Sequence, residues 1–372
     1  MAKIKFGVDY VMPQVTQVAS LVTPKNTMPI LGCILCNVRE EDLIVTASDG
    51  ETWLQMHCPL LESDCDLDFC VDAKDFLSAL KNLQGGGVSL NIDNDTRTIV
   101  GDYGKGTFKL PYLNASEYPL ARGIDDKHEY TINSKVIYDA LSLAEFATAN
   151  DELRPQMNGI HIDFDNGKMT SAATDGRKLV RYINTNVDIE GEETIGLTIP
   201  KKPAHSLVAL LAKMDNDIAI EFNSSNACFK CDYFSLVTRL ADGRYPNYNG
   251  VIPQPTSNVA IVDKSEIISA VKRVMAFGNT ANELLSIHIS FGQIEISAED
   301  IDFSKSARET VNCEYGGGEI KIGFCATFFL QSLSNIQSDK VSIEFIDKAR
   351  PCVFRPVDES LDYVSILMPM VL

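Results

Sequence analysis

Apolar residues recur along this chain in two rhythms, and the rhythms alternate in a fixed order. Val11, Val15, Val18, Ala19 and Val22 fall at the i, i+3, i+4, i+7 spacing of one helical face. Val136, Ile137, Ala140, Leu141 and Ala144 do the same, as do Ile267, Ile268, Val271, Val274 and Met275. Each helical stretch gives way to alternating runs such as Gly159-Ile160-His161-Ile162-Asp163-Phe164, turned by Asp165-Asn166-Gly167. A second helix follows, and strands such as Val88–Ile92, Ile218–Phe222 and Val341–Phe345 close each round. The pattern predicts an α+β fold with six helices, over 8–22, 73–84, 134–149, 201–214, 264–278 and 325–337, among many short strands. Pro13 is expected in the first turn of its helix, where a missing N–H does least harm.

The order repeats because the sequence does. Residues 28–54 and 154–180 align without a gap at an offset of 126: Pro29 meets Pro155, Ile34 meets Ile160, Ala47 meets Ala173, and Asp49-Gly50 meets Asp175-Gly176. A weaker third copy carries Ile287-His288-Ile289-Ser290-Phe291 against Ile160-His161-Ile162-Asp163-Phe164, with Ala298 and Asp300 in place of Ala173 and Asp175. Tyr118-Pro119 and Tyr245-Pro246 echo each other at 127 residues. Three units are therefore expected, 1–125, 126–253 and 254–372, joined in polar, Pro-rich or Gly-rich connections.

Candidate chemistry adds little. The 372 residues carry five histidines, His57, His128, His161, His205 and His288, in no metal-binding spacing. His161 and His288 hold the same strand position in two copies and read as packing or sheet-surface residues. Cys33/Cys36 and Cys228/Cys231 have CxxC spacing, but both pairs lie in strand-like runs. Residues three apart on a strand face opposite ways, which favours reduced core cysteines over zinc. Gly85-Gly86-Gly87 and Gly316-Gly317-Gly318 lack the following Lys-Ser/Thr of a phosphate loop and read as hairpin turns. Asp49-Gly50 and Asp175-Gly176 read as turns as well, duplicated and without a nearby base. No catalytic residue, metal or cofactor is expected. No leader-like apolar segment opens the chain and no stretch approaches a membrane span, so a soluble, cytoplasmic protein is expected. The net charge of −18 argues against nucleic acid and anionic membranes when taken whole.

Four further segments change that picture. Asn158-Gly159-Ile160, Ala173-Thr174-Asp175-Gly176-Arg177-Lys178-Leu179, Gly243-Arg244-Tyr245-Pro246-Asn247-Tyr248 and the terminal Met368-Pro369-Met370-Val371-Leu372 stand in order and in register with the repeat. Together they resemble the β sliding clamps of bacterial DNA polymerase III, and Thr27-Met28-Pro29-Ile30-Leu31-Gly32 resembles that family's first-domain signature. The resemblance covers the whole chain. It implies three DNA-clamp domains of antiparallel sheet, each with two inward-facing helices, and two subunits joined head to tail in a ring. The ring would slide on duplex DNA, bound non-specifically, and hold the replicative polymerase catalytic subunit, the clamp loader and other polymerases or repair proteins through short peptides.

The charge pattern fits. The six expected helices hold Lys74, Lys81, Lys135, Lys201, Lys202, Lys213, Lys264, Lys272 and Arg273 against five acids, a surplus of +4 within a chain of −18. With Lys25, at a basic family position, these are the expected DNA-facing residues. The first and sixth helices contribute none, and Asp151 stands where a neutral DNA-contacting side chain is usual in the family. If helices ~9 Å apart line a pore, twelve of them leave ~24 Å free, six only ~7 Å and eighteen ~41 Å. A duplex about 20 Å across thus favours two subunits. Carried over by position, the dimer contact sets Phe108 and Leu110 of one subunit against Ala276 and Phe277 of the other. The partner cleft would comprise Met157, Thr174, Gly176, Arg177, Lys178, Leu179, Pro246, Val251, Ile366, Leu367, Met368, Pro369 and Met370, with Arg177 and Lys178 at its rim facing an acidic partner residue. Pro369 cannot donate to a ladder, so the last strand should stop before it. From the residues alone two other readings stay open: a repeat scaffold that binds peptides without DNA, and an enzyme whose site is assembled from residues that look structural.

Overall fold

The computed structural model of the chain describes residues 2–23, 28–83, 85–151, 153–189, 194–358 and 361–372. It divides into two compact units, one of Met1–Lys135 with Ala209–Leu240, the other of Val136–Val208 with Ala241–Leu372. Each is built on one antiparallel sheet, thirteen strands in the first and twelve in the second.

These sheets divide the chain differently from the sequence repeat, and the cause is edge pairing. A strand left at a sheet edge exposes a row of unpaired N–H and C=O groups. In the first unit Thr52–Pro59 satisfies its edge with Phe234–Arg239, in the register Thr52↔Thr238 to Phe234↔Met56. In the second, Lys178–Asn184 pairs with Asp362–Leu367, from Lys178↔Leu367 to Ile183↔Asp362. The middle repeat therefore gives His128–Asn133 and the strands between 217 and 239 to one sheet, and the strands between 159 and 200 to the other.

All six helices form within the expected ranges: α1 Val8–Ala19, α2 Ala73–Leu80, α3 Ser134–Ser142, α4 Lys201–Leu211, α5 Lys264–Met275 and α6 Ala326–Ser334. Val11, Val15 and Val18 of α1 and Ile267, Ala270, Val271 and Val274 of α5 are buried as one stripe each. Asp72 and Asp263 cap α2 and α5 by accepting the N–H groups of Asp75 and Glu266. The helices end earlier than expected because their last turns tighten to i→i+3 bonds, such as Val22 N to Ala19 O, Met214 N to Leu211 O and Gly278 N to Met275 O. Lys81, Lys213 and Glu145 fall outside the α-helical segments, leaving seven basic and four acidic residues, a surplus of three positive charges.

Three expectations are corrected. Pro13 lies in the second turn of α1, not the first. Its missing N–H leaves the Asp9 carbonyl without a helical donor, on the exposed face. Gly85-Gly86-Gly87 links α2 to the strand Gly87–Asp93 and is no hairpin turn; Gly85 and Gly86 take φ of 55° and 101°. Gly316-Gly317-Gly318 joins Lys305–Glu314 to Ile320–Cys325, two strands that are not neighbours in the sheet. The Asp-Gly turns stand. Asp49 Oδ1 accepts from Glu51 N and Thr52 N, Asp175 Oδ1 from Arg177 N and Lys178 N, and Gly50 and Gly176 sit at φ 95° and 88°.

Candidate functional site

The Asp175-Gly176 corner is one wall of a cavity of about 360 Å³ in the second unit. Thr174 Oγ1 accepts from Gly176 N at 3.1 Å and donates to Lys178 O at 2.8 Å, so the corner is held from inside. The opposite wall is the 3₁₀ turn Pro155–Met157. Asp151 bonds that segment closed: Asp151 N donates to Asn158 Oδ1, Asn158 Nδ2 to Asp151 O, and Arg154 Nε to Asp151 Oδ2 at 2.8 Å. The Leu153 backbone N–H and the Arg154 guanidinium hold the Asp151 carboxyl below its usual range. Asp151 thus has a loop-closing task, which accounts for an acid at this position.

The floor is the strand Asp362–Leu367. Leu179, Val353, Val364 and Ile366 form a buried cluster, with Tyr248 and Ile252 packed on it. Tyr248 is fixed by donating to Asp163 Oδ2 at 2.6 Å, while His161 Nε2 lies 3.0 Å from Asp163 Oδ1. The His161 ring stacks on Tyr245 at 4.6 Å. Burial alone would raise the Asp163 carboxyl, but the bonds and charge of His161 and the Tyr248 hydroxyl prevail and lower it.

Of the residues expected here, Met157, Thr174, Gly176, Arg177, Lys178, Leu179, Pro246, Val251, Ile366 and Met368 line the cavity. Leu367, Pro369 and Met370 do not. Leu367 alternates to the other face of its strand and is 1% exposed, in the core. The ladder ends with Met368 N donating to Arg177 O at 2.8 Å, and Pro369 carries no N–H to extend it. Met370 instead bonds to Gly323, with N to O at 2.7 Å. Lys178 is also corrected: it is no rim residue but is buried, 2.6 Å from Asp175 Oδ2 and 4.0 Å above the Phe328 ring. Arg177 is exposed, and Arg154 joins it at the rim. Arg154, Gln156, Asn247, Tyr248 and Pro351 were not anticipated as lining residues. The first four flank Met157 or follow Pro246 in the sequence, and nothing local points to Pro351.

The first repeat builds the same corner. Gly50 N donates to Ser48 Oγ at 2.9 Å, and Arg239 N to Glu51 O at 2.9 Å, as Met368 N does to Arg177 O. Trp53 replaces Leu179, however, and its Nε1 donates to Pro119 O at 2.8 Å, bridging the two walls.

Lys74, Lys81, Lys201, Lys213 and Lys272 are exposed, with no carboxylate at ion-pair distance among the described residues. Lys135 and Arg273 are neutralised by Asp215 and Glu309. Lys202 is half-buried and already engaged. Lys264 is half-buried, and its Nζ donates to Ile336 O at 2.8 Å, just beyond α6. Lys25 lies outside the described residues.

Phe108 and Leu110 sit half-buried on Thr107–Asn114, the Phe108 ring over Gly101, while Ala276 and Phe277 are exposed after α5. Residues 107–111 pair only with Thr98–Asp102, because Phe69–Val71 meets only Tyr112–Asn114. Likewise residues 305–312 pair only with Gln293–Asp300, and the strand Val259–Asp263 meets only Cys313 and Glu314. Besides the outermost strands of the two sheets, residues 107–111 and 305–312 thus each leave an edge unpaired among the described residues.

A repeated α+β scaffold of continuous antiparallel sheet, with an apolar cleft at one repeat junction, defines the class: a protein of the DNA-clamp fold. Profiles of the N-terminal, central and C-terminal domains of the DNA polymerase III beta subunit match residues 3–122, 131–247 and 249–371. The chain belongs to the DNA polymerase III beta subunit family. It is 23% identical to the beta sliding clamp of Staphylococcus epidermidis, over 97% of each chain, and 24% identical to that of Staphylococcus aureus, over 94% of each. In fold it is similar to the Pseudomonas aeruginosa sliding clamp bound to griselimycin, with a TM-score of 0.93, 22% identity and full coverage of both chains. It is also similar to the Bacillus subtilis sliding clamp, at 0.90 and 23%, over 100% and 99% of the two chains.

Proposed function

We propose that two copies of this chain close head to tail into a ring around duplex DNA and tether replication proteins through the cleft, without catalysis. The observation that carries this is the pair of open edges. Each repeat supplies one donor of a junction, 52–59, 178–184 or 305–314, and one acceptor, 107–114, 234–239 or 362–367. Two of the three junctions are made within the chain. The third is left over as 305–312 and 107–111, and a second copy supplies both missing partners at once, a closed C₂ arrangement in which every repeat junction is paired. Phe108 and Leu110 lie on one open strand, and Ala276 and Phe277 precede the other, in keeping with their proposed place at that contact. The three repeat units, 1–125, 126–253 and 254–372, are then the three domains of each half-ring.

The occupant of the cleft is a short apolar peptide with an acidic residue facing Arg177 and Arg154, borne by the replicative polymerase, the clamp loader, or other polymerases and repair proteins. Such partners place the protein in the cytoplasm. The ring itself is tested by topology. Loaded on closed circular duplex by its clamp loader, the protein stays bound, and a single restriction cut releases it. Retention after cutting, or none before it, overturns the reading.

DNA is held by its phosphates, since sliding excludes base readout. The triple variant Lys74→Glu, Lys201→Glu, Lys272→Glu is expected to shorten retention on circles. It should also reduce the salt dependence by about 0.9 in log–log slope for each phosphate no longer neutralised. Retention and slope equal to wild type would remove these lysines from the DNA path.

A further inference from the structure

The last five residues form a strap fastened at two points. Upstream of Pro369, Met368 N is bonded to Arg177 O at 2.8 Å; downstream, Met370 N is bonded to Gly323 O at 2.7 Å. Between them the proline ring removes one torsion, so Met368 cannot swing without loosening one of the two bonds. Two residues span at most ~7 Å, which keeps the Met368 wall of the cleft close to the Gly323 clip. Beyond Gly323 the strap borders a second cavity, with Leu372 53% exposed. Leu372 lines a space of about 650 Å³ with Leu284, Ala298, Ile301, Arg308 and Lys321, none of which lines the cleft. Gly323 belongs to Ile320–Cys325, the edge strand of its sheet. A β-carbon there would fall 2.6 Å from Met370 O and 3.1 Å from Leu372 Cδ2, so only glycine lets the strap lie down.

We propose that Gly323, by bonding Met370 and letting Leu372 pack against it, anchors the segment after Pro369, and that this anchorage positions Met368 and so sets the affinity of the cleft. The inference rests on the cleft being a peptide site. Neither Gly323 nor Leu372 lines the cleft, so both act through Met368 as positioning residues.

The test uses the full dimer and a fluorescein-labelled acidic peptide with Gln at one end and Leu-Phe at the other. Gly323→Ala, and separately removal of Val371 and Leu372 with Met368 and Met370 kept, are each expected to weaken binding about tenfold with dimerisation unchanged. Leu372→Asp should match the truncation, and Leu372→Met should keep wild-type affinity. With methyl-labelled methionine, the Met368 signal should narrow toward a mobile position in the weakened variants while the buried Met157 and Met169 signals stay in place. Wild-type affinity in the truncated chain, or an unmoved Met368 signal, overturns the inference, and the truncation decides the matter if Gly323→Ala fails to fold. Failure of the wild-type chain to bind the peptide would instead overturn the cleft assignment, so the two failures are distinct.

Discussion

Removing Met368–Leu372 is expected to abolish binding of an acidic, Leu-Phe-ended tail peptide while leaving the dimer intact. Met368 is 41% exposed yet lines the cleft, so its thioether stands ready to pack against a ligand, and its flexible chain suits several partners. Forgoing the burial of one methionine side chain removes ~1.5–3 kcal/mol. The deletion also strips the last ladder bond from Arg177 O and opens the wall above Ile366 to water. Together these predict an affinity loss of at least a hundredfold, about 3 kcal/mol. Fluorescence anisotropy with the tail peptide reads it directly, and sedimentation of the same sample checks the dimer. The proposed dimer residues, Phe108, Leu110, Ala276 and Phe277, are remote in sequence from the deleted segment. Wild-type affinity in the truncated protein would show the cleft assignment to be wrong.

The second large effect is on assembly. The double variant Leu110→Asp, Phe277→Asp is expected to be monomeric at micromolar concentration. Leu110 is half-buried and Phe277 is 47% exposed in the single chain, so both aspartates can be solvated there and the fold should persist. In the ring each would lie against apolar surface. Losing the burial of even one such side chain removes ~1.5–3 kcal/mol per interface, and the ring has two interfaces. The sum approaches ~6 kcal/mol, a rise in the dissociation constant on the order of ten-thousandfold. Sedimentation equilibrium measures this, with far-ultraviolet circular dichroism as the folding control. A double variant that remains dimeric would place the contact elsewhere. A monomer should also fail to stay on circular DNA, which links the two measurements.

Much of the fold was legible because its signals are local. Helical spacing located the first helix of each repeat, since a buried stripe such as Val11, Val15 and Val18 needs only one chain segment to be seen, and the order of the repeat located the second. The Asp-Gly corners were legible because a carboxylate accepting two N–H groups, followed by glycine at positive φ, is turn chemistry independent of what surrounds it. Helix ends were not legible: the i→i+3 tightening after Ala19, Leu211 and Met275 reflects how the chain must leave toward its next partner. The glycine triplets misled for the same reason, because a positive-φ glycine marks a change of direction without saying which strand lies beyond it.

The site divided along the same line. Met157, Thr174, Leu179, Pro246 and Met368 could be named from motif position, but Lys178 could not be told from Arg177. One is buried against Asp175 and Phe328, the other exposed in the turn before the strand Lys178–Asn184, and nothing near Lys178 in the sequence announces Phe328. Lys264 and Lys74 likewise differ through Ile336 O, 72 residues away from Lys264. The sequence by itself determined the threefold repeat, the order of helices and strands, and the membership of the junction motifs, because these depend on period and turn chemistry within a few residues. Only the tertiary structure decided which strand edges meet, which lysines remain free, and that the chain's end is clipped to Gly323. Those outcomes are contacts between segments far apart in the chain, where hydrogen-bond and charge partners compete and no local spacing records the winner.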